Sequence, residues 1–312
     1  MRPKKLKPAR LIIIAPDFKQ GGGCFVIRDF VIAMLDAGHD VVVATPGGSL
    51  WPGCKGYGVR AITIDSATQT CPEPYDLMIF SWWESLLWAS QIPAHRFVWI
   101  CQSIEEFFPE PEDGAARIRA VVPYLLRGID VIAVSPWVQA ILQARFGTES
   151  HLIPNQLPSD IDWSAARRDR DWSAKRSPAD CTVVVEGNAM RFKGIPASVN
   201  TCNRLGFGRK VLLVAGGGLN DQFRREIEFD GWRVFQNLPR AEVIRQMAEA
   251  DILLRTSLLD SFGFAPLEMM VTGGLVMVQH YQGAPGLCEH GGNSVCFSSD
   301  AEILDAFRKN AE

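Results

Sequence analysis

The sequence predicts an α/β protein made of two consecutive parallel-sheet domains. Three observations carry this expectation. Short continuous apolar runs recur along the chain, as strands buried on both faces require. Stretches with an apolar period close to 3.6 lie between them, as crossover helices require. The rhythm then stops once, over residues 156–180, "QLPSDIDWSAARRDRDWSAKRSPAD", and restarts. That polar, proline-marked stretch reads as a linker and the edge of a second domain. The length of 312 residues suits two domains, placed at 1–156 and 157–312.

The elements follow in order. "RLIIIAP" is a buried strand, and "GGGCFVIRDFVIAMLDAGH" is a glycine turn followed by a helix that Gly38 closes. "DVVVATP", "LMIFSW", "RFVWICQ", "DVIAVSP" and "SHLIPN" supply the other strands of the first half. "CTVVVEGN", "KVLLVAGGG", "RVFQN", "DILLRTS" and "LVMVQH" supply the second, with helices such as "AEVIRQMAEA" between them.

Composition narrows the function. Hydrophobic residues make up 47% and charged residues 21%, enough to bury sizeable cores. The net charge of −3 argues against a nucleic-acid partner. The N-terminus is a local exception, with five basic residues in "MRPKKLKPAR". It reads as a solvated tail or as a peripheral contact with an anionic membrane. "LIIIA" is too short for an export signal or a spanning helix, so a cytoplasmic protein is expected. Its eight cysteines form no CxxC pair and should stay reduced. The five histidines lack ligand spacing, so no metal is expected. "DID" at 160–162 and "DRD" at 169–171 have the spacing of an acidic metal motif, but neither follows an apolar strand.

Ligands of open α/β sheets sit at the carboxyl ends of the strands. Two such domains facing one another would place the site in a central cleft. After the first strand, Gly21, Gly22 and Gly23 either expose backbone N–H groups to an anion or form a tight turn. The G-x-G-x-x-G spacing and a ribose-binding acid after "DVVVATP" are both absent, which disfavours a nicotinamide enzyme. After "VVVEGN" come Arg191 and Lys193, cations suited to a diphosphate. Gly216, Gly217 and Gly218 make another glycine-rich strand end. The richest stretch is "DSFGFAPLEMMVTGG", residues 260–274. Asp260 precedes a Phe262-Gly263 turn, Pro266 suits a first helical turn, and Glu268 is expected in that turn beside the positive end of the helix. A cap alone would need neither Asp260 nor Phe-Gly. Carboxylates accept paired hydrogen bonds from vicinal hydroxyls, as sugars and riboses present them.

Here the chain resembles the GT-B glycosyltransferases, in particular the retaining class called family 4. That class carries Glu, seven residues, Glu, with Phe-Gly after the first acid; "DSFGFAPLE" matches, with Asp in place of the first Glu. "GGGCFVIRDFVIAMLDAGHDVVVATP", "GIDVIAVSPWVQAILQARFG", "LIPNQLP", "KGI", "VAGGGL" and "AEADILLRTS" occur in the family's order. The resemblance implies two Rossmann-like domains facing a cleft and a sugar transfer from a nucleotide-diphosphate donor, without metal or other cofactor. It gives Glu268 to the donor ribose and Asp260 to the transferred sugar. Phe262, Gly263 and Phe264 would line the sugar and diphosphate. Lys193 and Arg191 would neutralise the leaving group, with Gly217 at the same donor site. Gly22 and Gly23 would approach the donor phosphate or the acceptor.

Three departures accompany the resemblance. Asn188 stands where the family has an arginine five residues before the lysine. Asp260 is one methylene shorter than Glu. Family members also continue beyond the equivalent of "AEILDAFRKNAE" into a helix that crosses back, so a compact variant or a missing segment is expected.

The acceptor would be a glycan, glycolipid or other lipid-linked carbohydrate, as in polysaccharide biosynthesis. Trp82, Trp83, Trp88 and Trp99 are read mostly as core. The loop "QSIEEFFPEPE" after "RFVWI" is similar to one in polysaccharide rhamnosyltransferases. In it, Glu105 or Glu106 is a candidate to bind acceptor hydroxyls or assist their deprotonation. Two other functions stay open: a nucleotide-sugar epimerase on the same fold, and a non-catalytic GT-B partner subunit.

Overall fold

A computed structural model describes residues 7–16, 22–51, 54–69, 73–108, 112–158, 160–170, 177–216, 218–280 and 286–309. The chain divides into two compact units, Met1–Asn155 and Gln156–Glu312.

In the first unit the strands are β1 (Arg10–Ile14), β2 (Asp40–Thr45), β3 (Arg60–Thr63), β4 (Leu77–Ser81), β5 (Phe97–Cys101), β6 (Asp130–Ala133) and β7 (His151–Leu152). Its α-helices are α1 (Gly22–Asp36), α2 (Ile64–Gln69), α3 (Ser85–Ala89), α4 (Gly114–Leu125) and α5 (Pro136–Phe146). All strand pairings are parallel, in the order β3-β2-β1-β4-β5-β6-β7. The apolar runs fill the centre: Leu11, Ile12, Ile13 and Ile14 are all buried, as are Val41, Val42 and Val43. β3 escapes a reading of apolar runs because it is an edge strand with no buried residue.

In the second unit the strands are β8 (Thr182–Gly187), β9 (Arg209–Val214), β10 (Trp232–Gln236), β11 (Ile252–Arg255), β12 (Leu275–Gln279) and β13 (Val295–Phe297). The helices are α6 (Trp163–Ala166), α7 (Ile195–Leu205), α8 (Asp221–Phe229), α9 (Arg240–Glu249), α10 (Phe264–Val271) and α11 (Asp300–Lys309). This sheet is also wholly parallel, in the order β10-β9-β8-β11-β12-β13. Its alternating residues feed two cores, one with Val183, Val185, Leu212 and Leu254, the other with Val184, Leu213, Leu253 and Val276.

The polar stretch expected as a linker is docked on the second unit where it is described. Asp162 caps α6 through the Ser164 and Ala165 N–H groups, and Ile161 and Trp163 pack on the second core. Arg170 donates to the carbonyls of Thr272, Ala248 and Ala250. The "DID" acids therefore include a helix cap, and the packing of Ile161 and Trp163 on the core holds this charged stretch to the second unit.

Each sheet reverses its strand order once, between β1 and β4 and between β8 and β11. At such a reversal the flanking helices leave on opposite faces and open a crevice at the carboxyl ends.

Candidate functional site

In the second unit, the loops after β8 and β11 are stitched together by hydrogen bonds. The Leu258 N–H donates to the Phe192 carbonyl at 2.8 Å, and the Ser257 hydroxyl to the Lys193 carbonyl at 3.1 Å. The Thr256 hydroxyl donates to the Gly194 carbonyl at 2.9 Å. Gly194 has φ +67°, and a Cβ there would run into the Thr256 carbonyl, so both conformation and contact demand glycine.

This stitching puts a cluster of charges at the reversal. Lys193 Nζ lies 3.4 Å from Asp260 Oδ2, and Arg255 Nη1 lies 3.0 Å from the same oxygen. Arg255 Nη1 is also 3.6 Å from Glu186 Oε2. Burial works against ionisation of Asp260, but the Lys193 ammonium and the Arg255 guanidinium outweigh it. With the Gly263 N–H they hold the carboxyl below its ordinary range. The Arg255 side chain is only 2% exposed, whereas that of Lys193 is 19% exposed and sits at the outer side of the cluster. Arg191 is exposed on the same turn as Lys193. Asn188, at the position of the family arginine, accepts the Met190 N–H instead.

Sequence reading passed over Arg255, taking it as one more residue of a buried strand. A charged residue ending an otherwise apolar "ILLR" strand was the signal available. Its partners stand 69 residues before it and five residues after it, a relation that only the parallel pairing of β8 with β11 creates.

The Phe-Gly turn is as expected in place and different in detail. Gly263 has φ +86° and caps α10 without a side-chain acceptor, and a Cβ there would lie 2.9 Å from Leu287 Cδ2. Phe262 and Phe264 meet edge to face at 5.0 Å beside it. Because α10 starts at Phe264, Glu268 lies in the second turn, and the first turn holds no acid. The expected first-turn placement is thereby corrected: the left-handed glycine starts the helix at Phe264, early enough to carry Glu268 past the first turn and the reach of the dipole end. Glu268 is instead fully buried and paired with Arg240, the first residue of α9. Among the described residues no hydrogen-bond donor reaches its Oε2. Each carboxylate of the motif thus faces an arginine from outside it. Gly216 and Gly218 follow β9, while Gly217 lies outside the described residues.

In the first unit, Gly22 and Gly23 open α1; Gly21 lies outside the described residues. A Cβ on Gly23 would lie 3.0 Å from Gln102 Oε1, and Gln102 donates to the Ser81 hydroxyl at 2.7 Å. Trp82, the residue after β4, has φ +81°, a strained conformation for a bulky side chain. Glu105 is buried and its carboxylate accepts the Trp83 N–H at 2.6 Å. Burial pushes its carboxyl up to about 8, against the pull of that N–H and with the charge of Glu84 adding to the rise. Glu106 pairs with Arg145. The expectation that the tryptophans are mostly core holds for Trp99 and fails for the other three. Trp83 and Trp88 pack edge to face around Trp82, at 6.4 and 6.2 Å, each half-buried. Apolar period alone does not separate a full core tryptophan from one on a half-open ledge.

Among the described residues no group of three or more His, Cys, Asp or Glu side chains is placed to hold a metal ion.

No family model and no curated protein sequence matches the chain. Solved structures do match. HepE of Anabaena in complex with UDP-glucose aligns with a TM-score of 0.74 at 19% identity, over 97% of this chain and 90% of that one. Sucrose-phosphate synthase of Thermosynechococcus elongatus aligns at 0.72 and 18%, over 96% of this chain and 88% of that one. WaaG, a glycosyltransferase involved in lipopolysaccharide biosynthesis, aligns at 0.65 and 17%, over 96% of this chain and 90% of that one. The chain has the GT-B fold, two parallel-sheet α/β domains of seven and six strands.

Proposed function

We propose that this protein is a retaining glycosyltransferase of the family-4 type, moving a sugar from a nucleotide-diphosphate donor to a carbohydrate or lipid-linked acceptor. The observation that carries this reading is the Lys193–Asp260–Arg255 cluster at the reversal of the second sheet. Lys193 is the accessible cation and takes the leaving diphosphate. Asp260 faces the transferred sugar, and Arg255 keeps it ionised when Lys193 turns to the diphosphate. The Phe262–Gly263–Phe264 turn lines the same place, with Arg191 as the outer cation. Fixed positive charge that meets developing negative charge is the main source of catalysis in such a step, and it calls for no cofactor beyond the donor.

Glu268 is the donor ribose ligand in this reading. Its unpartnered Oε2 is a buried acceptor that vicinal hydroxyls would satisfy. On the acceptor side, Gln102, Glu105 and the Trp82 ledge belong to the first unit, and Glu105, protonated at neutral pH, acts as a hydrogen-bond partner of acceptor hydroxyls. The chain shares its fold with WaaG and HepE, and the UDP-glucose bound to HepE supports a UDP-type donor. A peripheral membrane contact through the basic N-terminus rests on sequence, because residues 1–6 lie outside those described.

The test is a thermal-shift panel of UDP, GDP, dTDP, ADP and CMP on the wild type and on Glu268→Ala. One nucleotide should stabilise the wild type selectively, and the variant should lose about 1–3 kcal/mol of that binding. Equal binding by the variant removes Glu268 from the ribose. Nucleotide binding without sugar transfer or hydrolysis makes the chain a non-catalytic module instead.

A further inference from the structure

A cavity of about 650 Å³ opens in the first unit, apart from the strand ends described above. Part of its lining comes from residues that enter strands: Pro74 before β4, Phe97 at the start of β5, and Gly128 and Ile129 before β6. The rest comes from α3, the turn from α3 to β5, and Phe80 of β4. Trp82 and Gln102, which follow β4 and β5, take no part in it. The volume falls within the roughly 300–1,000 Å³ that small-molecule sites occupy.

The walls are apolar. Phe80 and Ile92 are buried, whereas Leu86, Phe97 and Ile129 are only half-buried and leave apolar surface for an occupant. Two basic side chains stand among them, His95 and Arg127, both exposed. No aspartate or glutamate lines the cavity, although the whole chain is net negative at −3. The acids at this end of the sheet are committed elsewhere. Asp76 accepts the Arg10 N–H at 2.7 Å, and Asp130 pairs with Arg96 at 2.6 Å. Arg127 is in no ion pair among the described residues.

An apolar chamber with a guanidinium on its solvent side selects an amphipathic anion. The parallel N–H groups of arginine match the two oxygens of a carboxylate. A nucleotide or phosphate ester would bring more negative charge than one arginine neutralises. The chain's own basic N-terminus, "MRPKKLKPAR", would set like charge against Arg127. We propose that this cavity binds a small carboxylate with an aromatic or branched aliphatic body, Arg127 taking the carboxylate and the apolar walls the body. This goes beyond sugar transfer and does not depend on it.

The experiment is an NMR titration of phenylacetate, indole-3-acetate and 4-methylpentanoate with the full chain. At least one of the three should bind at a single site, and its neutral amide should bind about tenfold more weakly or worse, because the amide loses the charge-assisted pair. Arg127→Gln should lower the affinity for that carboxylate by about the same factor with an unchanged melting temperature, since the side chain is exposed. Ser90→Trp, at an exposed position of the lining, should fill the cavity and abolish binding. If it lowers the melting temperature, Gln91→Trp replaces it. Excess UDP should not displace the carboxylate. The proposal is overturned if none of the three carboxylates binds, if the amide binds equally, if Arg127→Gln or the tryptophan variant keeps full affinity, or if UDP competes. A wild-type dimer in light scattering that the tryptophan variant splits would assign the cavity to a second copy and overturn it as well.

Discussion

The two sheets reverse their strand order in the same way, yet the reversals carry opposite chemistry. At the ends of β8 and β11 and in the loops after them stand Glu186, Lys193, Arg255 and Asp260, four charged side chains joined in a chain of ion pairs. After β1 and β4 stand glycines and a strained tryptophan, and after the neighbouring β5 a glutamine and a buried glutamate held neutral at pH 7. The topology gives each unit a place to bind, and the strand-end residues decide what can bind there. A charged diphosphate suits the second unit; uncharged hydroxyls and ring faces suit the first.

The comparison breaks most sharply at Arg255. Arg255→Met should destabilise the second unit by about 3–5 kcal/mol, because it strips a buried counter-charge from Asp260 and Glu186. Urea unfolding of the variant measures this, and a change below about 1 kcal/mol would mean the cluster is not held by its arginine.

A smaller effect is expected where the two loops of the second unit touch. Gly194→Ala and Gly206→Ala both place a side chain at positive φ, +67° and +71°. Only the first drives its Cβ into Thr256, whereas nothing lies within 4 Å of the second. Gly206→Ala should cost about 1 kcal/mol and leave nucleotide binding intact. Gly194→Ala should cost about 1–3 kcal/mol more and also weaken binding, since it displaces Lys193. Equal costs would show that the loops are not tightly stitched.

The mildest effect concerns the first unit and pH. Glu105 releases its proton near 4.5 when unfolded and near 8 when folded. Between those values the native state binds more protons than the unfolded state, so stability falls as pH rises through the window. Glu105→Gln keeps an acceptor for the Trp83 N–H and removes the titration. Its melting temperature should match the wild type near pH 4.5 and exceed it increasingly towards pH 8. A constant difference across that range would place the carboxyl in contact with water.

Much of the fold was legible because its causes are local. Apolar runs such as "LIIIA" and "TVVVE" have no stable place except a covered parallel strand. Gly38 and Gly263 announce turns because few other residues accept positive φ. Elements without a local cause were missed: β3, an edge strand without buried residues, and β13, three residues long. The site was half legible for the same reason. Asp260, Phe262, Gly263 and Lys193 stand in recognisable local patterns; Arg255 does not.

The amino-acid sequence by itself therefore determined that there are two parallel sheets, where each unit opens at its strand ends, and that carboxylates and cations stand near the second opening. Only the tertiary structure decided which of them meet. Lys193 and Arg255 converge on Asp260 because β8 and β11 lie side by side, and Glu268 faces Arg240 because α9 packs on α10. Apolar pattern is written residue by residue along the chain, but an ion pair acts across a few ångströms of space, and chain separation does not record that distance.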